Sequence, residues 1–287
     1  MPSRRPPARA QRRSGITAAM IVIVIAGLLV YLALRPSPLA RRPTGCVAGP
    51  ATQGVQLSLS QAAIAAVIAG VANERGMPTR AVAIAYATAL QESKLANLHY
   101  GTMDSVGVFQ QRPSEGWGTP QQIEDPVYAA GRFFAALARV PHYQRLPIYE
   151  AAQDVQHSAD GSAYGQYATM GTDMARAFSG ALPHAVWCSY GTGVGKPRLA
   201  AAKRGLDSDF GRLGGHLNAD PLARVTVRDT RQGWAVASWL VAHAATFGVT
   251  EIRYLTYEWL ASSGSGRWRA LKPGPRTPAA TTAVVFG

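Results

Sequence analysis

The first 45 residues contain no acidic side chain, although they hold Arg4, Arg5, Arg9, Arg12, Arg13, Arg35, Arg41 and Arg42. Charged residues make up only 16% of the 287-residue chain, against 47% hydrophobic residues. That is low for a cytosolic protein. Cysteine is scarce: Cys46 and Cys188 are the whole complement. They form no C-x-x-C pair, and no histidine stands at metal-ligand spacing from either, so zinc and thioredoxin-like readings fall away. The six histidines (His99, His142, His157, His184, His216, His243) contain no H-E-x-x-H or other zinc pairing. There is no G-x-S-x-G elbow and no P-loop. The glycines of residues 191–195 neither follow a strand nor open a helix, which discounts a nucleotide loop. No internal repeat is visible. Neither a cofactor nor a metal is expected.

The formal charge is +13, from 29 basic and 16 acidic residues. With the eight arginines of residues 1–45 set aside, 21 basic residues face the same 16 acids, an excess of +5. A modest excess suits an anionic polymer or surface but names no partner. No nucleic-acid motif is present, and the most basic run lies beside an apolar span, where membrane topology accounts for it. Nucleic acid is not expected as a partner.

That span covers residues 15–34 and is uncharged throughout. Twenty such residues can cross a bilayer core of about 30 Å as a helix. Five arginines precede it and three follow within residues 35–42, which keeps the N-terminus in the cytoplasm. The span reads as an uncleaved signal anchor; a cleaved signal peptide is the competing reading. In either case the chain after it is exported, and in an exported chain one long-range disulfide between Cys46 and Cys188 is expected. Two unpaired thiols are the alternative.

The organisation expected is a basic tail over 1–14, the membrane anchor over 15–34, and a linker over 35–57. A helical domain over 58–188, a linker over 189–220, a small α/β module over 221–272 and a tail over 273–287 follow. A helix begins near Ser58 or Ser60, with Ser60 as cap, and Gly76 follows its end. The next, from Thr79, is apolar nearly all round, which marks it as buried. Residues 95–120 are rich in turn formers, with room for a small hairpin. Asp125 caps a further helix with Pro126 in its first turn. Pro147 opens another, and a last one runs from Ala163 to Phe178 with a bend at Gly171. The fold class expected is mainly α, with the small α/β module added at the C-terminal end.

Glu92 is the one ionisable side chain of the buried helix after Arg80. Desolvation raises a carboxyl pKa, and a carboxylic acid that holds its proton can donate it to the leaving oxygen of a glycoside. A Glu closing an apolar helix and opening a groove is a candidate donor; a surface Glu at a helix end is the alternative. The residues around it read "ALQES", then a spacer, then "DSVGVFQQRP". This ordered set, with Glu92, Ser93, Gly107, Phe109 and Gln110 and the later Asp-Pro helix at residues 125–137, resembles the soluble lytic transglycosylase and goose-type lysozyme superfamily. The resemblance covers residues 46–188, about half the chain, and is to the lysozyme-like domain of exported actinobacterial proteins.

The resemblance implies a lysozyme-like helical fold with Glu92 as catalytic acid. It implies Ser93 as a hydroxyl that orients Glu92 or caps nearby backbone, and Gln110 as a groove residue. Tyr100, Gln111 and Trp117 are candidate sugar contacts, each with ordinary packing as the alternative; Phe109 is assigned to the core. Asp104 is the candidate second carboxylate, with a turn-forming role as the alternative. The family's Ala-Tyr-Asn-Ala-Gly-like element is sought at residues 150–159, where Gln153 or Gln156 stands in for its polar contacts. The activity implied is cleavage of the MurNAc–GlcNAc β-1,4 bond of peptidoglycan glycan strands. Hydrolysis and 1,6-anhydro formation both remain open. A non-catalytic peptidoglycan-binding scaffold, and a part in an envelope assembly, are the competing functions. The C-terminal module reads as accessory or wall-binding.

Overall fold

The computed structural model describes residues 24–27, 31, 44–50, 52–157, 161–191, 193–217, 222–271 and 282–287. The span expected to cross the membrane lies largely outside them; residues 24–27 are helical. Among the described residues no helix is long and apolar enough to cross a membrane. Residues 42–287 make up one compact unit, separate from residues 1–41.

The sequence dictates helix α1 (Leu59–Glu74) through a capping box. Ser58 accepts from the Gln61 amide, and the Gln61 side chain reaches back to the Ser58 N–H. The cap is therefore Ser58 and not Ser60, because only Ser58 stands three residues before a Gln. Helix α2 (Thr79–Ser93) is buried at every position from Ala81 to Leu90. Helix α3 (Pro120–Ile123) leads into α4 (Pro126–Leu137), capped by Asp125 through the Val127 amide. Then come α5 (Ile148–Gln156), a 3₁₀ stretch (Gly161–Tyr167) and α6 (Ala168–Phe178). The bend expected at Gly171 is instead a helix crossing. A Cβ there would meet the Ala83 carbonyl oxygen at 2.8 Å and the Ala87 nitrogen at 3.1 Å, so only glycine lets α6 lie this close to α2.

Two small antiparallel sheets accompany the helices. The expected hairpin within residues 95–120 is reduced to one bridge between Val106 and Gln111. The sheet of the helical half is built from its two ends: β1 (Gly45–Ala48) lies between β2 (Val55–Leu57) and β3 (Val186–Ser189). Residues 45–57, expected as linker, are thus two paired strands. The register sets Cys46 opposite Cys188, and the two form a buried disulfide.

The stretch 189–220 is not a linker either. It contains α7 (Leu199–Phe210) and β4 (Gly215–Leu217). Then follow β5 (Ala223–Thr226), α8 (Thr230–Ala242), the short α9 (Ala244–Phe247), β6 (Glu251–Tyr254), β7 (Tyr257–Leu260), β8 (Arg269–Ala270) and β9 (Ala283–Phe286). The six strands run in the order β4-β5-β9-β6-β7-β8. The supposed tail therefore supplies β9, fully buried and central in the sheet. The chain is mixed α/β rather than mainly α.

Both α7 and α8 pack on α1, so the two halves share a core. Their contact is partly polar, which explains why apolar periodicity did not reveal α7. Asp209 on α7 is 4% exposed and accepts from the Trp239 indole on α8 at 2.6 Å. The His243 ring stacks on Trp239 with centroids 4.1 Å apart, and its Nδ1 lies 2.9 Å from the Trp239 carbonyl.

Burial pushes Asp209 up to about 6 and His243 down to about 4. The signs oppose. The folded state keeps the Asp209 proton that the unfolded chain releases, so this stability term is full at low pH and lost as pH rises towards 6. The folded state refuses the His243 proton that the unfolded chain takes up, so the His243 term grows as pH rises above about 4. Together they flatten the profile of the wild type. Asp209→Asn keeps an acceptor for Trp239 and removes only the falling term. Its stability relative to wild type is expected to rise by about 2 kcal/mol between pH 4 and 6. Urea unfolding at several pH values checks this; a parallel pair of profiles contradicts it.

Candidate functional site

The last turn of α2 ends in two consecutive non-glycine residues with positive φ, Lys94 at 56° and Leu95 at 58°. Left-handed conformations cost such residues free energy and persist only where their surroundings hold them. Here the Lys94 and Leu95 amides donate to the Leu90 and Ala89 carbonyls, and the Ala96 amide donates to the Ser93 carbonyl. The helix stops abruptly, one turn past its last buried apolar residue, and leaves Glu92 at its mouth.

Ser93 fastens that mouth from beneath. Its buried hydroxyl donates to the Val108 carbonyl at 2.7 Å, has the Ala89 carbonyl at 3.1 Å, and accepts from the Ala96 amide at 3.2 Å. It therefore caps backbone and ties α2 to the segment carrying Gly107, Phe109, Gln110 and Gln111. Gly107 has φ 78°, and a Cβ there would meet the Ile123 carbonyl oxygen at 2.6 Å, so glycine is required. Phe109 is fully buried and stacks on Phe133 with centroids 4.6 Å apart.

A second stretch closes on the same helix end. Three neighbouring residues of α2 and its cap are each paired with the 3₁₀ stretch. Tyr164 donates its hydroxyl to Glu92 Oε1 at 2.6 Å, Gln166 Nε2 donates to Gln91 Oε1 at 3.1 Å, and Lys94 Nζ donates to the Tyr167 hydroxyl at 2.6 Å. Tyr164 is 1% exposed, so its bond to Glu92 is shielded from water. Among the described residues Glu92 Oε2 has no hydrogen-bond partner, and Glu92 lines a groove of about 1410 Å³. That exceeds the range of sites for small molecules and suits an extended ligand.

The groove brings together Glu92, Gln110, Gln111, Trp117 and Gln156 of the residues picked out in the sequence. Gln110, at φ 49°, donates to the Tyr100 and Gly107 carbonyls at 3.3 and 3.2 Å. Gln111 Nε2 donates to the Ala129 carbonyl at 3.3 Å, and Gln156 Nε2 to the Phe109 carbonyl at 2.8 Å. The side-chain oxygens of both are buried without a partner among the described residues. Trp117 is half-buried, and its carbonyl accepts from the Tyr128 hydroxyl at 3.1 Å.

Tyr100, Asp104 and Gln153 stand outside the groove lining. Tyr100 is 72% exposed. Asp104 is fully occupied within its own loop. Its Oδ1 accepts from Arg112 Nε at 2.8 Å and from the Ser114 hydroxyl at 3.0 Å, and its Oδ2 accepts from the Ser114 amide at 2.8 Å. The Arg112 hydrogen bond, with the Ser114 amide next, holds its carboxyl down at about 2. It is an ionised clamp for the 104–114 loop. His99 is exposed and pairs with Glu124 at 2.8 Å.

The residue that sequence reading missed is Tyr164. The Ala-Tyr-Asn-Ala-Gly-like element is expected at residues 150–159, in α5, which carries no tyrosine at the groove. The signal lay one segment later, in Ala163-Tyr164-Gly165, where the short 3₁₀ stretch has no apolar period to draw attention. Arg112, Arg132 and Arg139 also line the groove, with Glu115 and Asp154 as acids besides Glu92. The chain matches no known family's sequence profile, and it matches no characterised protein in sequence.

Proposed function

We propose that the chain is an exported peptidoglycan glycosidase that cleaves the MurNAc–GlcNAc β-1,4 bond with Glu92 as general acid. The observation that carries the reading is Glu92 itself: one carboxylate oxygen is fixed by buried Tyr164 and the other is open to a groove of about 1410 Å³. Ala163-Tyr164 matches the first two residues of the Ala-Tyr-Asn-Ala-Gly-like element, with Gly165 where that element has Asn, and this adds to the resemblance with the lytic transglycosylases and goose-type lysozymes. The lysozyme-like domain assignment, the membrane anchor at residues 15–34 and an extracytoplasmic location belong to the same proposal.

In this reading a strand lies along the groove with its glycosidic oxygen at Glu92 Oε2. Glu92 gives its proton to that oxygen as the C1–O bond breaks, and the sugar ring takes positive charge. The resulting Glu92 carboxylate receives the Tyr164 hydrogen bond, which is strongest to an ionised acceptor. Asp104 is engaged by Arg112 and Ser114 and is not offered as the second carboxylate. The substrate's N-acetyl oxygen can then meet C1, and Glu92 takes back a proton from the attacking hydroxyl. If that hydroxyl is the sugar's own O6, the product is the 1,6-anhydro form. If it is water, the product is the hydrolysed end.

The engagement of Asp104 also favours the second reading, a protein that holds wall glycan without cutting it. Tyr164→Phe separates the two. It removes one hydrogen bond to a charged group, worth about 1.5–3 kcal/mol, and is expected to lower kcat by about tenfold to a hundredfold with KM little changed. Release of soluble fragments from purified wall is the readout. Loss of wall binding with no fragments from wild type would favour the scaffold.

A further inference from the structure

The groove is asymmetric in charge. Of its three arginines, Arg112 is neutralised by Asp104 and Glu115. Arg132 and Arg139 have no acidic partner among the described residues; Arg132 donates only to the Gly116 carbonyl at 2.9 Å. Both stand on the outer face of α4 and its end, two helical turns apart, roughly 10 Å along the axis. The residues between them on that wall are the small Ala135 and Ala136, while Phe133, Phe134 and Leu137 point into the core. The wall then continues into loop 138–145, which lines a second, open hollow of about 460 Å³. Arg139, Val140 and Pro141 belong to both hollows, and the second adds Arg145, again without an acidic partner among the described residues. The acids of the groove, Glu92, Glu115 and Asp154, come from other segments: α2, the turn at Pro113–Glu115, and α5.

We infer that this wall, Arg132–Arg139–Arg145, binds the carboxylates of the peptides that branch from the glycan strand, so that the protein prefers peptide-bearing strands to bare glycan. This rests on the proposed glycan-binding role of the groove. An arginine fork meets a carboxylate with two parallel hydrogen bonds. Two such forks about one disaccharide apart match a polymer that carries an acid at regular intervals. The small residues between them leave room for the strand to lie against α4. Exposed charge pairs are individually weak and screened by salt, so the arrangement gives preference rather than anchorage.

The test uses the full-length protein carrying Glu92→Gln, so that binding is read without cutting. Its affinity is measured for peptide-bearing glycan strands, for the same strands stripped of peptide, and for a sulfated polysaccharide lacking N-acetylhexosamine. The expected result is roughly tenfold tighter binding to the peptide-bearing strand, abolished by Arg132→Gln with Arg139→Gln and by raised salt. A melting temperature within a degree or two of the parent's shows that the double variant is folded. Arg145→Gln, at the far hollow, should give a smaller loss of the same preference. Equal affinity for bare and peptide-bearing strands overturns the inference and leaves the glycan-binding reading standing. Equal binding of the sulfated polysaccharide also overturns it, because the wall would then be a general ion exchanger. Failure to bind bare strands as well overturns the underlying reading.

Discussion

Glu92→Gln is expected to lower fragment release from peptidoglycan by about 10²–10⁴-fold, the contribution of a positioned general acid. The substitution is close to isosteric. The Tyr164 hydroxyl still finds an oxygen to donate to, and Ser93 still ties the helix end to the Val108 carbonyl. Melting should therefore be unchanged, and wall binding retained. What is removed is the proton at the open side of the groove. A reduction of less than about threefold would mean that the proton comes from elsewhere, since a loss that small is within the reach of altered positioning alone.

The second large effect falls on stability. Replacing Cys46 and Cys188 together with serine opens a covalent loop spanning 142 residues. The chain-entropy relation puts the cost at about 4–5 kcal/mol. For a body of this size that corresponds to a fall in Tm of roughly 10–20 °C. The bond joins β1 to β3, the two strands in which the helical half begins and ends. Its loss leaves the backbone ladder between them intact, so the variant should fold and unfold in the same manner at lower temperature. Thermal unfolding of the oxidised protein and the double variant measures this. A difference of one or two degrees would show that the loop is already restrained in the unfolded chain, or that the sheet alone fixes the ends.

The parts of the fold visible in the sequence were those with apolar periodicity and local caps. Asp125 with Pro126, and the all-round apolar run of α2, are local statements that neighbouring residues make about themselves. The parts that were hidden depend on residues far apart. Strand β1 becomes a strand because Cys46 meets Cys188, and β9 becomes the centre of a sheet because β5 and β6 flank it. Helix α7 was passed over because its anchor is polar: Asp209 has its partner on Trp239, thirty positions away. The same division runs through the site. Glu92 could be found from its position on one helix, and Ser93 and Gln110 from the segment around it. Tyr164 could not, since a tyrosine in a short 3₁₀ stretch becomes significant only once that stretch is seen to close on the end of α2. Asp104 shows what closeness in sequence leaves out. An acid near an active-site candidate in sequence is engaged in space by Arg112 and Ser114, and the turn-forming alternative describes it better.

The shared core of residues 42–287 also alters how the C-terminal module is to be regarded. Helix α8 packs on α1, the neighbour of the helix that carries Glu92, and Gln232 donates to Asn73 at 2.8 Å across that contact. The module is part of the body that holds the groove, whatever else it binds.

The most direct measurement is mass analysis of what the purified full-length protein releases from isolated peptidoglycan, alongside its Glu92→Gln variant. Disaccharide-peptide fragments are expected from the wild type, ending in either a 1,6-anhydro or a reducing sugar, and almost none from the variant. Fragments from both proteins in equal amount, or from neither under conditions where both bind the wall, would contradict it.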